Sequence, residues 1–235
     1  MNALVFKDER EAEFMDFNDP RAAHIKDVLK IAGEGEIYAG IANRKLFKTK
    51  VVECANGYKF EMTDKELPNP ARQKLLLCVP FTRPQIAKRI MFEAACFGVE
   101  KLAFYVADKG DESYLKSSAY ASEEVEKNLI KGAEQACSTF LPEFAKLTGL
   151  DEAIEFCRAC QIKIAPDIYE ASAGLSEIAK KGIRTALIFG GERGFSNSER
   201  DRLRAGGFTL ASLGERVLRT DSAIIAALAL CLNAK

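Results

Sequence analysis

Two stretches of the chain carry residue types that could do chemistry. In "FGGERGFSNSE", residues 189–199, glycines at 190, 191 and 194 surround Glu192 and Arg193 at the end of the apolar run "TALIF". Glycine permits close approach to the main chain, so such a turn can hold a bound molecule. It contains no GKS or GKT, which removes the lysine of a P-loop, and it lacks the GxGxxG spacing of a dinucleotide fold. In "LGERVLRTDSA", residues 213–223, Arg216 and Arg219 flank an apolar pair, and Asp221 follows. A third candidate, Cys157 and Cys160, has the CxxC spacing of a redox or zinc site. A second pair is missing and His24 is the only histidine, so four-ligand zinc is disfavoured. No metal is expected, and the two thiols read as packing on one face of a helix.

These stretches need elements to position them. From Lys74 onward the pattern alternates strand and helix. "KLLLCVPF" is a continuous apolar run suited to a buried parallel strand. Ile86, Ile90, Ala94 and Phe97 then recur at helical spacing, with Thr82 as the predicted cap, Pro84 just inside the start and Gly98 as the stop. "KLAFYVA", "KIAPDIY", "RTALIFG" and "FTLASLG" read as further strands, and Val125, Leu129, Ile130, Ala133 and Cys137 share a helix face behind Ser122. The alternation predicts an α/β domain with a mostly parallel sheet covered on both faces. Ligands of such sheets sit beyond the carboxyl ends of the strands, where residues 189–196 fall. Ser196 and Glu199 make a capping box, and "AGGF" closes the helix that follows. Thr220 is placed to cap the last helix. That helix is apolar all round from 223 to 232, so it must be buried, in the core or against a second subunit.

Upstream, "NALVF", "GEIYAGI", "KLFKTKVVEC" and "YKFEM" read as short strands, with one helical stretch around "RAAHIKDVLKI". This predicts a small β-rich domain over 1–68 and a second domain over 72–235, with "DKELPNPARQ" as linker because its prolines interrupt both periodicities. The segment "NRKLFKTK" concentrates Arg44, Lys45, Lys48 and Lys50. It is either a phosphate-binding patch or a solvated strand face. Lysine plus arginine equals aspartate plus glutamate, 34 each, so no global positive field draws the chain to nucleic acid and any RNA affinity must be local. No stretch is long and apolar enough for a membrane span, the first residues lack a signal peptide's apolar core, and the seven scattered cysteines suit a reducing compartment. A cytoplasmic protein is expected.

"LIFGGERGFSNSE" followed by "AGGFTLASLGERVLRTDSA" resembles the two C-terminal signatures of the RsmE family of 16S ribosomal RNA uridine-N3 methyltransferases. "RAAHIKDVLK", "FTRPQIAKRIMFEAACFGVEKLAF" and "EQACSTFLPE" are similar to further elements of that family, so the resemblance covers nearly the whole chain. It implies an N-terminal PUA-like β-barrel followed by a SPOUT α/β domain with a C-terminal trefoil knot, working as a homodimer. It also implies S-adenosylmethionine as cofactor and 16S ribosomal RNA or the small ribosomal subunit as partner. Two rivals remain: a SPOUT methyltransferase acting on another RNA, and an RNA-binding or assembly protein that has lost catalysis.

By the same resemblance, Phe189, Gly190, Glu192, Gly194, Leu213, Gly214, Val217, Leu218 and Thr220 would surround the cofactor. Arg219 would stabilise negative charge on the uracil carbonyls or grip a phosphate, since a guanidinium stays protonated and cannot be the base. Glu192, Asp221 or an ordered water would accept the N3 proton; alternatively Arg219 pairs with Asp221 and only holds the helix start. Arg21, His24, Lys26 and Lys30 would join Arg44, Lys45, Lys48 and Lys50 in holding RNA. The chain departs from the family pattern at Gly191 for proline, Arg193 for glycine, Lys30 for arginine, Asp221 for glutamate and Ser222 for threonine. A non-glycine at 193 is strained if the backbone there needs positive φ.

Overall fold

The computed structural model describes residues 3–234. By internal contacts the chain divides into two units: Met1–Ala71 with Ile130–Leu141, and Arg72–Leu129 with Pro142–Lys235. Among the described residues no helix is long and apolar enough to cross a membrane.

The first unit is built on five strands: β1 (Ala3–Phe6), β2 (Phe14–Asp16), β3 (Glu34–Ile41), β4 (Leu46–Cys54) and β5 (Gly57–Leu67). They form one sheet in the order β1-β3-β4-β5-β2, with β1 parallel to β3 and the other pairs antiparallel. Between β2 and β3 the helical stretch seen in the sequence is a single α-turn, α1 (Pro20–Ala23), capped by Asp19, which runs into a π-helical turn at His24–Val28. Phe6, Ile25, Val51 and Tyr58 are buried in its core. Residues 130–141 are counted with this unit although sequence order places them in the 72–235 segment. Ile130 and Ala133 bury against Val5, and the Val5 N–H donates to Glu134 at 3.1 Å. The stretch read as a linker is shorter than expected. Leu67 and Glu66 still pair with Leu46 and Phe47, so β5 consumes its first residues and only 68–72 remain outside strands.

The second unit begins with β6 (Gln73–Pro80), whose apolar run is buried from Leu75 onward because the strand is covered on both faces. It continues with α2 (Pro84–Cys96), β7 (Val99–Tyr105), α3 (Ser122–Gln135), β8 (Glu143–Leu147), α4 (Leu150–Phe156), β9 (Ile162–Pro166), β10 (Ala173–Gly174), α5 (Leu175–Ile178), β11 (Thr185–Ile188), α6 (Asn197–Ala205), β12 (Thr209–Ser212) and α7 (Thr220–Leu232). Every strand pairing is parallel, in the order β10-β12-β9-β11-β6-β7-β8. The chain leaves β6 in one direction for β7 and β8, then returns to the other side of β6. There β11 lies between β6 and β9, with β12 beyond β9. The loops leaving β6, β9, β11 and β12 are thereby neighbours at one sheet edge, where connections depart in opposite directions.

Several local expectations change. Thr82 does not cap α2: the cap position is Arg83 without a side-chain bond, and the Thr82 N–H and C=O are both engaged by the Tyr120 hydroxyl at 2.9 Å. Gly98 does end the helix, at φ 70°. Cys157 and Cys160 do not lie along a helix face. α4 stops at Phe156, and the two thiols are buried beyond it with Cys78, whose Sγ is 3.6 Å from that of Cys157. Burial pushes the Cys160 thiol up to about 11, which leaves it protonated and inert. β2, β8 and β10 were not visible as strands in the sequence.

Candidate active site

The turn at residues 189–196 is tied down before it reaches solvent. The Phe189 N–H donates to the Cys78 carbonyl at 3.0 Å, and the buried Tyr105 hydroxyl donates to the Phe189 carbonyl at 2.7 Å. On its far side Ser196 and Glu199 close the capping box expected from the sequence. The other oxygen of the buried Glu199 accepts the Asp108 N–H at 3.0 Å, while Ser196 Oγ donates to Asp108 at 3.1 Å. An Arg202 hydrogen bond, with a smaller one from Ser196, holds the Asp108 carboxyl below its usual range despite partial burial. The end of β7 thus fixes the start of α6, and the turn is held at both ends.

Within it, the Gly194 N–H donates to the Gly191 carbonyl at 2.9 Å, closing a β-turn whose central residues are Glu192 and Arg193. Positive φ falls on Gly194, at 67°, and not on Arg193. Glycine is favoured at this fourth position of a turn, so Arg193 sits without the strain its family counterpart raised. Gly190 is needed for another reason: a Cβ there would lie 2.9 Å from the backbone of Gly194 and Phe195.

The loop after β12, residues 213–219, approaches this turn. Together they line a cavity of about 410 Å³, within the size range of small-molecule sites. All the residues expected around a cofactor line it: Phe189, Gly190, Glu192 and Gly194 from the first loop, and Leu213, Gly214, Val217, Leu218 and Thr220 from the second, with Arg219 beside them. A Cβ at Gly191 or Gly214 would meet nothing within 4 Å, so both glycines border open space. Val217 is 80% exposed, an apolar side chain left without cover.

Two walls were missed in the sequence. One is the loop after β9, Pro166 to Tyr169. It is positioned by a buried ion pair, Arg200 Nε to Asp167 Oδ2 at 2.8 Å with side chains 7% and 2% exposed, and Arg200 also stacks 5.5 Å from the Tyr169 ring. The other is Thr82, Arg83 and Ile86 at the start of α2. Both come from distant parts of the chain, and only strand order brings them here.

Asp221 does not pair with Arg219. Its carboxylate, 7% exposed, accepts from Arg89 on α2 at 3.0 Å. Thr220 is the first helical residue and not the cap. Among the described residues Arg219 therefore lines the cavity with no ion pair, as do Arg193 and Arg216, whereas Glu192 is held by Arg83 at 3.2 Å. Tyr114, first, and Glu192 both raise the Arg83 guanidinium above its usual value.

In the first unit the expected RNA-binding cations are mostly engaged. Arg21 bridges Glu11 and Asp19, each at 2.6 Å, against the Phe6 ring. Arg44 pairs with Glu9, Lys45 with Glu66, Lys48 with Glu36 and Lys50 with Glu34. His24, Lys26 and Lys30 form no ion pair among the described residues, and Lys30 lies at φ 54°.

An open parallel sheet, with a cavity at its strand ends between a glycine turn and an arginine-bearing loop, matches the family described as RNA methyltransferase domain over residues 69–232. Over nearly its full length the chain is 30% identical to Ribosomal RNA small subunit methyltransferase E 1 of Borreliella burgdorferi (97% of this chain, 95% of that protein). It is also 30% identical to Ribosomal RNA small subunit methyltransferase E of Treponema pallidum (99% and 91%). The chain belongs to this small-subunit ribosomal RNA methyltransferase E family. Its fold is shared with the crystal structure of that enzyme from Neisseria gonorrhoeae bound to S-adenosyl methionine, with TM-score 0.79, 18% identity, and 97% and 95% of the two chains covered.

Proposed function

We propose that this protein transfers a methyl group from S-adenosylmethionine to N3 of a uridine in 16S ribosomal RNA. The observation that carries this reading is Arg219, a guanidinium on the cavity wall without an ion pair among the described residues, whose neighbour Asp221 is already taken by Arg89. The cofactor supplies an electrophilic methyl carbon on a sulfonium, which leaves as a neutral thioether when the methyl moves to nitrogen. The residues fit such a molecule. The open backbone at Gly191 and Gly214 lets it lie against the main chain, and the exposed Val217 and Leu218 give an apolar wall. Arg219 stabilises the charge that grows on the uracil carbonyl oxygens as N3 gives up its proton. Glu192, on the turn and exposed, or a water beside it accepts that proton; Asp221 is buried and committed. Holding donor and acceptor in line supplies much of the rate.

Residues 72–235 are read as a SPOUT domain, with its C-terminal segment tucked through a trefoil knot, and residues 1–68 as a PUA-like RNA-binding barrel. His24, Lys26 and Lys30 contact phosphate directly, and the paired Arg44, Lys45, Lys48 and Lys50 do so by exchanging carboxylate for phosphate. The chain works as a cytoplasmic homodimer. In support, Leu230 on the apolar helix α7 stays 37% exposed within one chain. Purified protein, small ribosomal subunits and S-adenosylmethionine test the reading by mass analysis of the RNA. N3-methyluridine at one position is expected, and methylation of another atom or none would overturn it.

A further inference from the structure

A second cavity, of about 350 Å³, is lined by the same turn, Gly190 to Arg193, together with Arg83 and Thr220. The two cavities therefore share a wall. To that wall the second adds Lys109 and Asp111 from the loop after β7, and the half-buried ring of Tyr114. Lys109 and Arg193 form no ion pair among the described residues. Asp111 is turned to the Ser113 N–H at 2.9 Å, and the charge of Glu192 is met by Arg83. The cavity is thus lined by two cations without ion pairs among the described residues, by the Asp111 carboxylate, and by the rings of Tyr114, half-buried, and Phe81, buried.

Methyl transfer requires the acceptor atom within about 3.5 Å of the donor carbon, so an acceptor must enter through space contiguous with the donor's. A nucleotide offers a phosphate and a planar base, the two groups that a cation pair and a tyrosine ring recognise. We infer that this second cavity is the subsite for the target nucleotide of the RNA, with Arg193 and Lys109 gripping its phosphates and Tyr114 stacking on its base. The inference rests on the methyl-transfer reading for the chemistry, but the subsite is a binding site in its own right. Arg193 serves as a positioning residue: it stands on the turn that walls both cavities, so phosphate capture sets the register of the base against the donor.

The test titrates a fluorescently labelled fragment of small-subunit RNA, at several salt concentrations, into the unaltered protein, Arg193→Ala, Lys109→Ala and Tyr114→Leu. Calorimetry with S-adenosylmethionine is run on each. The two cation variants should weaken RNA binding about tenfold each and reduce the slope of log affinity against log salt by about 0.7 per lost phosphate contact to a single strand. Tyr114→Leu should weaken binding by a similar factor with the slope unchanged, and Arg193→Lys should restore most of the loss. Cofactor affinity should stay within about twofold in Lys109→Ala and Tyr114→Leu, whose side chains line only the second cavity, which shows those variants folded; Arg193→Ala, which borders both cavities, is checked for folding by urea unfolding. Unchanged RNA affinity and slope in Lys109→Ala and Arg193→Ala would overturn the subsite. If the unaltered protein fails to bind S-adenosylmethionine, the methyl-transfer reading fails instead, and the RNA titration still decides the subsite.

Discussion

In the first unit Lys48 and Lys50 on β4, and Arg44 and Lys45 in the turn before it, each face a carboxylate, whereas around the cavity of the second unit Arg193, Arg216 and Arg219 face none among the described residues. The residue types are alike, and for Lys48 and Lys50 what differs is the backbone beneath them. In the antiparallel β3–β4 pair, Glu36 lies directly opposite Lys50 and diagonal to Lys48, so the pairing register itself delivers partners. Arg193, Arg216 and Arg219, on the loops at 189–196 and 213–219, instead line a cavity that a ligand can enter.

The contrast is sharpest inside the second unit, where Arg200 borders the same region but is paired. Asp167→Ala leaves that buried guanidinium without a partner and should cost about 3–5 kcal/mol of stability, read by urea unfolding. A loss under about 1 kcal/mol would mean the pair does not hold the β9 loop. Arg219→Ala should do the reverse. Unfolding stability should shift by no more than about 0.5 kcal/mol, while single-turnover methyl transfer falls about a hundredfold. Undiminished transfer would remove Arg219 from the chemistry.

Glu134 is the opposite case in the first unit, a carboxylate taken out of water. Burial, only partly offset by the Val5 N–H and then by Arg21, pushes it from 4.5 up to about 7. The native state therefore holds a proton that the unfolded chain has lost. This contribution is fully present below pH 4.5 and disappears as pH rises through 7. Glu134→Gln should flatten the pH dependence and raise stability at pH 8 by on the order of 2 kcal/mol; unchanged stability there would show the carboxylate is solvated. The smallest effect belongs to the strand patch. Glu36→Gln frees Lys48 and should tighten RNA binding about twofold, because an exposed pair is worth under about 1 kcal/mol. Unchanged affinity would make the patch a solvated face.

The glycine turn and the Arg219 loop could be read from the sequence because each is contiguous: the capping box at Ser196 and Glu199, the glycines and the apolar runs around them all lie within a few residues. The α/β alternation was legible for the same reason. The β9 loop, the Arg89–Asp221 pair and the neutralised strand cations were not. Each depends on which strands lie side by side, and the 132-residue separation of Arg89 from Asp221 leaves no local trace. Thr82 and Thr220 looked like caps by spacing, yet tertiary bonds and a one-residue shift of the helix start decided otherwise.

The central claim, that the two loops enclose a pocket for a methyl donor, is tested most directly by calorimetric titration of S-adenosylmethionine into the purified protein. Saturable binding of one molecule per chain, retained in Arg219→Ala, is the expected result; no binding to the folded, unaltered protein would contradict it.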